Sequence, residues 1–238
     1  KIASLLGAAG QGLEARPDGA ALSVKDAAGK IQEVVAEKVL LAVGRAPYTA
    51  GLGLEKIGLA TERGFIPVNE FCQTRLPHIY AIGDVIPTPQ LAHVGSAEGL
   101  LAVSHLAGKH VRPIAYRSVP GCTYSSPHVA SAGWSEKKAR EAGVEVKVGK
   151  FPFSAIGKGK IEDFTEGFIK IVTDARTGEI LGVHMIGAVA TELVAETVLA
   201  LNLECTAEEL ASTIHPHPTI SEALMEAAHA AHDRAIHI

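Results

Sequence analysis

The chain has 238 residues, 47% hydrophobic and 20% charged, with 22 Lys and Arg against 26 Asp and Glu for a net charge of −4. Disorder requires low hydrophobicity with high net charge, so a largely disordered protein is excluded, and the length allows one or two domains. The charge balance gives no broad basic face for nucleic acid or an anionic membrane, and no apolar run approaches the ~20 residues that span a bilayer.

The three cysteines, Cys72, Cys122 and Cys205, form no CxxC and no metal-type Cys/His spacing. They read as small buried side chains in a reducing compartment. Lys1 opens no charged-then-apolar leader, so a cytoplasmic protein is expected. The start, Lys-Ile-Ala-Ser-Leu-Leu, has neither Met nor a strand signal and is expected to be a cut end.

In chain order, residues 13–43 read as a β-meander with strands at 13–16, 21–25, 32–36 and 38–43. Pro17-Asp18-Gly19 and Asp26-Ala27-Ala28-Gly29 supply the turns. The run Val39-Leu40-Leu41-Ala42-Val43 has no polar position and suits a strand buried on both faces. Short strands are predicted near 65–68 and at 79–82, the second broken by Gly83-Asp84. A helix is predicted from Ser96, as N-cap, to Leu106, with Gly108 just beyond its end. Strand, glycine, acidic residue, loop and helix are the grammar of an α/β nucleotide-binding unit.

Composition shifts near Arg117. Beyond it, strands are expected at 129–133, 144–153, 168–173 and 179–186. A helix capped by Ser135 is expected at 136–142, and later helices at 191–203, 207–213 and 220–231. Thr206 and Glu209 have capping-box spacing. The sum is an α+β domain with helices on one sheet face. Apolar stripes such as Val194, Val198 and Leu201 exceed what such a sheet needs, which points to a homodimer through residues 118–238.

Three features could carry chemistry. Asp84, after Gly83 at a strand's carboxyl end, either accepts hydrogen bonds from a ligand's hydroxyls or caps the next turn. The histidines His215, His217, His229, His232 and His237 invite a metal, but Pro216 and Pro218 hold the first two in an extended segment, so no metal is expected. In His217-Pro218-Thr219-Ile220-Ser221-Glu222, a general base with its orienting carboxylate competes with a plain helix start. Thr219 and Glu222 also have capping-box spacing, and the two roles coexist only if Glu222 faces the histidine rather than its own cap.

Together these segments resemble the C-terminal half of the dihydrolipoamide dehydrogenases, a family of flavoprotein disulfide reductases. Leu41-Ala42-Val43-Gly44-Arg45-Ala46-Pro47 is similar to the exit from the family's NAD domain. Ile79-Tyr80-Ala81-Ile82-Gly83-Asp84-Val85 followed by Leu91-Ala92-His93 resembles its second FAD segment. Gly149-Lys150-Phe151-Pro152-Phe153 and Leu181-Gly182-Val183-His184-Met185-Ile186-Gly187 resemble its interface strands. His215-Pro216-His217-Pro218-Thr219-Ile220-Ser221-Glu222-Ala223 resembles its active-site signature, and Arg234-Ala235-Ile236-His237-Ile238 a bacterial ending. Glutathione and mercuric reductases share the Gly-Asp segment, but the doubled histidine points to the lipoamide branch. One departure is Ser126-Pro127-His128, where the family has Glu after the proline.

The resemblance implies an α/β plus α+β architecture: the end of an NAD-binding domain at 1–48, the C-terminal segment of an FAD-binding domain at 49–117, and a dimerisation domain at 118–238. It implies FAD and NAD as cofactors. Asp84, with Gly83, would hold the ribityl chain; Gln90, Leu91, Ala92 and His93 would lie along the flavin; Gly44 would sit where NAD passes. His217 would be the base acting across a homodimer and Glu222 its orienter, with lipoyl domains of 2-oxoacid dehydrogenase complexes as partners. The family's glycine motifs for FAD and NAD and its C-x4-C redox pair have no counterpart here. They belong to a preceding half, so these residues alone are expected to be inactive. The alternatives are a non-catalytic dimerisation fragment or a reductase of the glutathione or mercuric type.

Overall fold

The computed structural model describes residues 2–237, so the expectations drawn at Lys1 and Ile238 lie outside the described residues. The chain divides into two compact units, Lys1–Ala46 and Pro47–Ile238.

The first unit is an antiparallel sheet in the order β1 (Ala9–Arg16), β2 (Gly19–Lys25), β3 (Ile31–Ala36). Pro17-Asp18 closes the first hairpin. At the second, Asp26 Oδ1 accepts the N–H groups of Ala28 and Lys30, each at 2.9 Å, an Asx-type closure. The strand expected at 38–43 does not form among the described residues, and Leu40, Leu41 and Val43 are 89, 80 and 86% exposed. A run that is apolar at every position needs layers on both faces, and this unit supplies neither. Its sheet buries only Ala21 and Val24.

In the second unit, residues 47–91 are loops tied by isolated bridges and by 3-10 turns at Leu54–Ile57 and Gly83–Val85. The strands expected near 65–68 and 79–82 are reduced to isolated bridges: Phe65 pairs with Glu62 and Ile66 N–H donates to Val85 O at 2.8 Å, while Tyr80 bridges Gln73, flanked by bonds from Thr74 N–H to Ile79 O at 2.9 Å and from Ala81 N–H to Cys72 O at 3.0 Å. Pro67 removes a donor from the first run, and the second leaves only three residues between a turn closed by Ile79 N–H to Leu76 O at 2.9 Å and the left-handed Gly83. Helix α1 (Ala92–Leu106) begins before the expected Ser96, whose hydroxyl donates to Ala92 O at 3.1 Å from inside the helix. Its buried stripe is Val94, Glu98, Leu101 and Ala102.

The rest is built on a five-stranded antiparallel sheet. Its strands are β4 (Gly121–Thr123), β5 (His128–Gly133), β6 (Val146–Pro152), β7 (Phe168–Asp174) and β8 (Ile180–Gly187), in the order β4-β5-β8-β7-β6. The unanticipated strand is β4, too short to show a period of two. Between β6 and β7 lies a short helix, α3 (Gly157–Ile161). One sheet face is covered by α4 (Ala190–Asn202), α5 (Ala207–Ser212) and α6 (Glu222–Ala230), with Phe151, Ile169, Ile171, Val183, Met185 and Leu224 between the layers. The other carries a smaller cluster, Ala139, Val146, Val172 and Leu181, under α2 (Glu136–Glu141), so the helices are not confined to one face. Ser135 caps α2 through the Lys138 N–H at 3.2 Å, and Thr206 with Glu209 forms the expected capping box on α5.

Helix α6 lies unusually close to the sheet. A Cβ on Gly149 of β6 would sit 1.9 Å from Ala227 O and 2.5 Å from Ala231 N, so only glycine allows this approach. The apolar stripe expected to face a second copy is corrected in part. Val194 and Leu201 are 3 and 5% exposed and belong to the core, whereas Leu199, Leu203 and Ile214 are 61, 66 and 94% exposed.

Candidate active site

Helix α6 and the loop before it carry the candidate site. His215 and His217 alternate along an extended segment, so one ring turns inward and the other outward. The His215 side chain is 3% exposed; its Nδ1 meets Thr213 O at 2.8 Å and its Nε2 meets Glu196 Oε1 of α4 at 3.0 Å. The Glu196 carboxylate raises its pKa, against burial, which lowers it; the Thr213 carbonyl adds to the rise. His215 is thus the anchor that pins the loop to α4.

The His217 side chain is 78% exposed, and its Nδ1 lies 2.9 Å from Glu222 Oε1. Glu222 Oε2 accepts the Thr219 backbone N–H, also at 2.9 Å. The carboxylate therefore serves the histidine and the helix start at once. That corrects the expectation of a choice between them: each oxygen takes one partner. Thr219 contributes only its N–H to the cap, because its hydroxyl donates to Pro216 O at 2.7 Å and Ser221 fills the N-cap position. Burial pushes the Glu222 carboxyl up, but the Thr219 N–H and the His217 ring outweigh it and hold the group below its usual range. A ring whose Nδ1–H is held by a carboxylate keeps Nε2 as its basic nitrogen.

The second group of expected residues lies at the 3-10 turn and the start of α1. Gly83 has φ +69, and a Cβ there would meet nothing within 4 Å, so the backbone is open to close approach by a ligand. Asp84 and Gln90 are half-buried and joined by a bond from Gln90 Nε2 to Asp84 O at 3.4 Å. Leu91 precedes the helix; Ala92 and His93 lie in its exposed first turn, with His93 Nε2 3.0 Å from Pro120 O. An open glycine backbone, a carboxylate and a helix N-terminus fit a polyhydroxylated ligand chain. Gly44, at φ +108, lies in the other unit. His128, at the departure noted above, bonds Thr191 Oγ1 through Nδ1 at 3.0 Å.

Two family models cover most of the chain. Residues 119–228 match the one described as pyridine nucleotide-disulphide oxidoreductase, dimerisation domain, and residues 2–99 the one described as pyridine nucleotide-disulphide oxidoreductase. The chain belongs to the pyridine nucleotide-disulphide oxidoreductases. The dihydrolipoyl dehydrogenase of Bacillus subtilis is 53% identical over 202 residues, covering 85% of this chain and 43% of that protein. That of Thermus scotoductus is 50% identical over 229 residues, covering 95 and 49%. The crystal structure of LpdA from Mycobacterium tuberculosis superposes with a TM-score of 0.83 at 27% identity, over 93% of this chain and 48% of that one. The chain spans about half the length of the curated relatives it matches.

Carboxylates pair singly with the C-terminal histidines of this family member: His215 with Glu196, His217 with Glu222, His237 with Glu226 and, at 3.9 Å, His232 with Glu208. No group of three potential metal ligands occurs among the described residues. Sequence reasoning missed Glu196, Glu226 and the fully buried Glu98. For Glu98 a signal exists: it falls on the apolar stripe of α1, between Val94 and Leu101, where a charge needs partners.

Proposed function

We propose that the chain is the C-terminal part of a dihydrolipoamide dehydrogenase, with His217 as its general base and Glu222 as the group that orients it. The observation that carries this is the 2.9 Å contact between His217 Nδ1 and Glu222 Oε1 on an exposed loop. With Nδ1–H held, Nε2 takes a proton from a substrate thiol, and the imidazolium that forms is stabilised by the adjacent carboxylate. A thiol is a poor nucleophile until ionised, so this step starts exchange with the redox disulfide, which we assign to a preceding half of the protein. Dihydrolipoamide is oxidised to lipoamide and NAD+ reduced to NADH; FAD, a cofactor of the homologous enzymes, supplies the two-electron relay when bound.

Within this reading, Gly83 and Asp84 hold the flavin's ribityl chain, Gln90, Leu91, Ala92 and His93 lie along it, and Gly44 borders the path of NAD. Residues 1–48, 49–117 and 118–238 are the end of the NAD domain, the FAD-domain segment and the dimerisation domain. The exposure of His217 supports a site completed by a second copy of the chain, because a base of this kind works on thiols shielded from water. The reducing partner is a lipoyl domain, and the three free cysteines fit a cytoplasmic location.

The test is His217→Gln in the full-length enzyme. Dihydrolipoamide oxidation should fall by ~10²–10⁴-fold, the usual worth of a general base. Electron transfer from NADH to an artificial acceptor, which needs no thiol deprotonation, should change little. Near-wild-type turnover with dihydrolipoamide would refute the assignment.

A further inference from the structure

We infer that Glu98 is the positioning residue that sets the Gly83–Asp84 turn for FAD. This rests on the reading of that turn as the flavin contact, and it concerns a side chain outside the motif.

Glu98 lies in the middle of α1 and is fully buried. A charge in that position is costly unless each oxygen has a donor. Both do. Oε2 accepts the Gly83 N–H at 2.7 Å, and Oε1 accepts the Tyr116 hydroxyl at 2.9 Å. One carboxylate therefore ties three stretches of chain: the helix, the turn before it and the segment after it.

The helix surface beside this bond is pared down to glycine. A Cβ on Gly95 would lie 3.5 Å from Gly83 Cα, and one on Gly99 would lie 3.4 Å from Ile82 Cδ1. Gly95 and Gly99 are one turn apart, so they make a shallow seat for residues 82–83, and Glu98 fixes the turn within it. Gly83 itself needs its left-handed φ of +69 to direct its N–H at the helix. Orientation of the turn, and with it of Asp84, is thus set by α1 before any ligand arrives. Preorganisation of this kind lowers the ordering cost of binding.

The enclosure keeps the bond intact. Burial pushes the Tyr116 hydroxyl up, and the bond to Glu98 adds to that, so it retains the proton it donates. Cys72 is pushed up by burial and then by the charge of Glu98, so it stays a neutral thiol beside them.

The experiment uses the full-length enzyme stripped of flavin, with FAD titrated back by flavin fluorescence. Glu98→Leu should weaken FAD by about tenfold or more, as expected when a buried N–H loses a charged acceptor. Glu98→Gln keeps an oxygen for Gly83, and the Tyr116 hydroxyl can turn to accept from its amide; it should stay within about threefold of wild type. Because the effect runs through Asp84, Glu98→Leu combined with Asp84→Ala should bind FAD no more weakly than Asp84→Ala alone. A buried carboxylate that only steadied the fold would lower the melting temperature of the apoprotein and leave that coupling at zero. If Glu98→Leu does not fold, Tyr116→Phe removes one partner at little steric cost and should speed FAD release several-fold. Unchanged FAD release in Tyr116→Phe, unchanged affinity in Glu98→Leu, or losses that multiply in the double variant would each overturn the inference. Unchanged affinity in Asp84→Ala would overturn the flavin reading first, and the inference with it.

Discussion

Glu222 holds His217 with one carboxylate oxygen and the Thr219 backbone N–H with the other, both at 2.9 Å. Both partners donate, which suits an acceptor-only carboxylate and no other side chain of that length. Glutamine has one acceptor oxygen. In Glu222→Gln, either the Thr219 N–H faces an amide NH2, or the amide NH2 faces Nδ1 and drives the ring's proton to Nε2, where it blocks the base. An unsatisfied donor costs about 1–3 kcal/mol, so turnover with dihydrolipoamide should fall roughly ten- to hundredfold, less than in His217→Gln. Steady-state rates and melting curves on both variants check this. A Glu222→Gln enzyme of full activity would show that Glu222 is a helix cap alone.

His215 makes the pH dependence of the loop readable. Its pKa is raised above the ordinary 6.5, first by Glu196. A raised folded value means that its stabilisation is whole below about pH 6.5 and fades as pH rises through the folded pKa. The melting temperature of wild type should therefore exceed that of His215→Gln most at pH 6, by an amount equivalent to about 1–3 kcal/mol, and less at pH 9. A gap that widens with pH would contradict the pairing with Glu196.

The pair His217 and Glu222 was legible because both members lie five residues apart on one Pro-stiffened segment. Local spacing showed that the two could meet, but it left a general base and a plain helix start as alternatives, and the resemblance favoured the first. Glu98 and Glu226 were not, because their partners are set by the return of the chain: Tyr116 comes 18 residues after Glu98, and His237 comes 11 after Glu226. The same limit governs the strands. The run 38–43 has the composition of a buried strand, yet composition names no neighbour to pair with. At 65–68, Pro67 deprived the run of a donor, a cue visible in the sequence. The five-stranded sheet was more readable, since β7 and β8 alternate or run apolar over seven and eight residues around a turn closed by Asp174.

Leu199 on α4 and Leu203 at its C-cap stand one turn apart, and Ile214 adjoins His215, which is bonded to Glu196 of the same helix. These are large apolar side chains left exposed, of the kind that a partner covers. Leu199→Glu with Ile214→Glu should convert a dimer into monomers by light scattering at micromolar concentration. Dihydrolipoamide oxidation should fall with it, since the proposed base works across the interface. A variant that keeps the wild-type mass would place the interface elsewhere.

Glu226 follows Glu222 by one turn on α6 and fixes the chain's last described residues. Its buried carboxylate accepts the Ile236 N–H at 2.8 Å and the His237 N–H at 3.4 Å, and meets His237 Nδ1 at 2.8 Å. Burial pushes the carboxyl up, but the His237 ring and the two N–H groups outweigh it, so the net shift is downward. A depressed folded value gives stability that is whole above the ordinary 4.5 and lost as pH falls through the folded pKa. Glu226→Gln offers one acceptor where three donors converge, so at pH 7 the segment should detach. Amide exchange at Ile236 and His237 should speed by about tenfold or more, the equivalent of ~1.4 kcal/mol of lost protection. As pH falls through the depressed pKa of Glu226 the wild-type carboxyl protonates too, and the two proteins should converge. Equal exchange rates at pH 7 would mean that the segment is held by something other than Glu226.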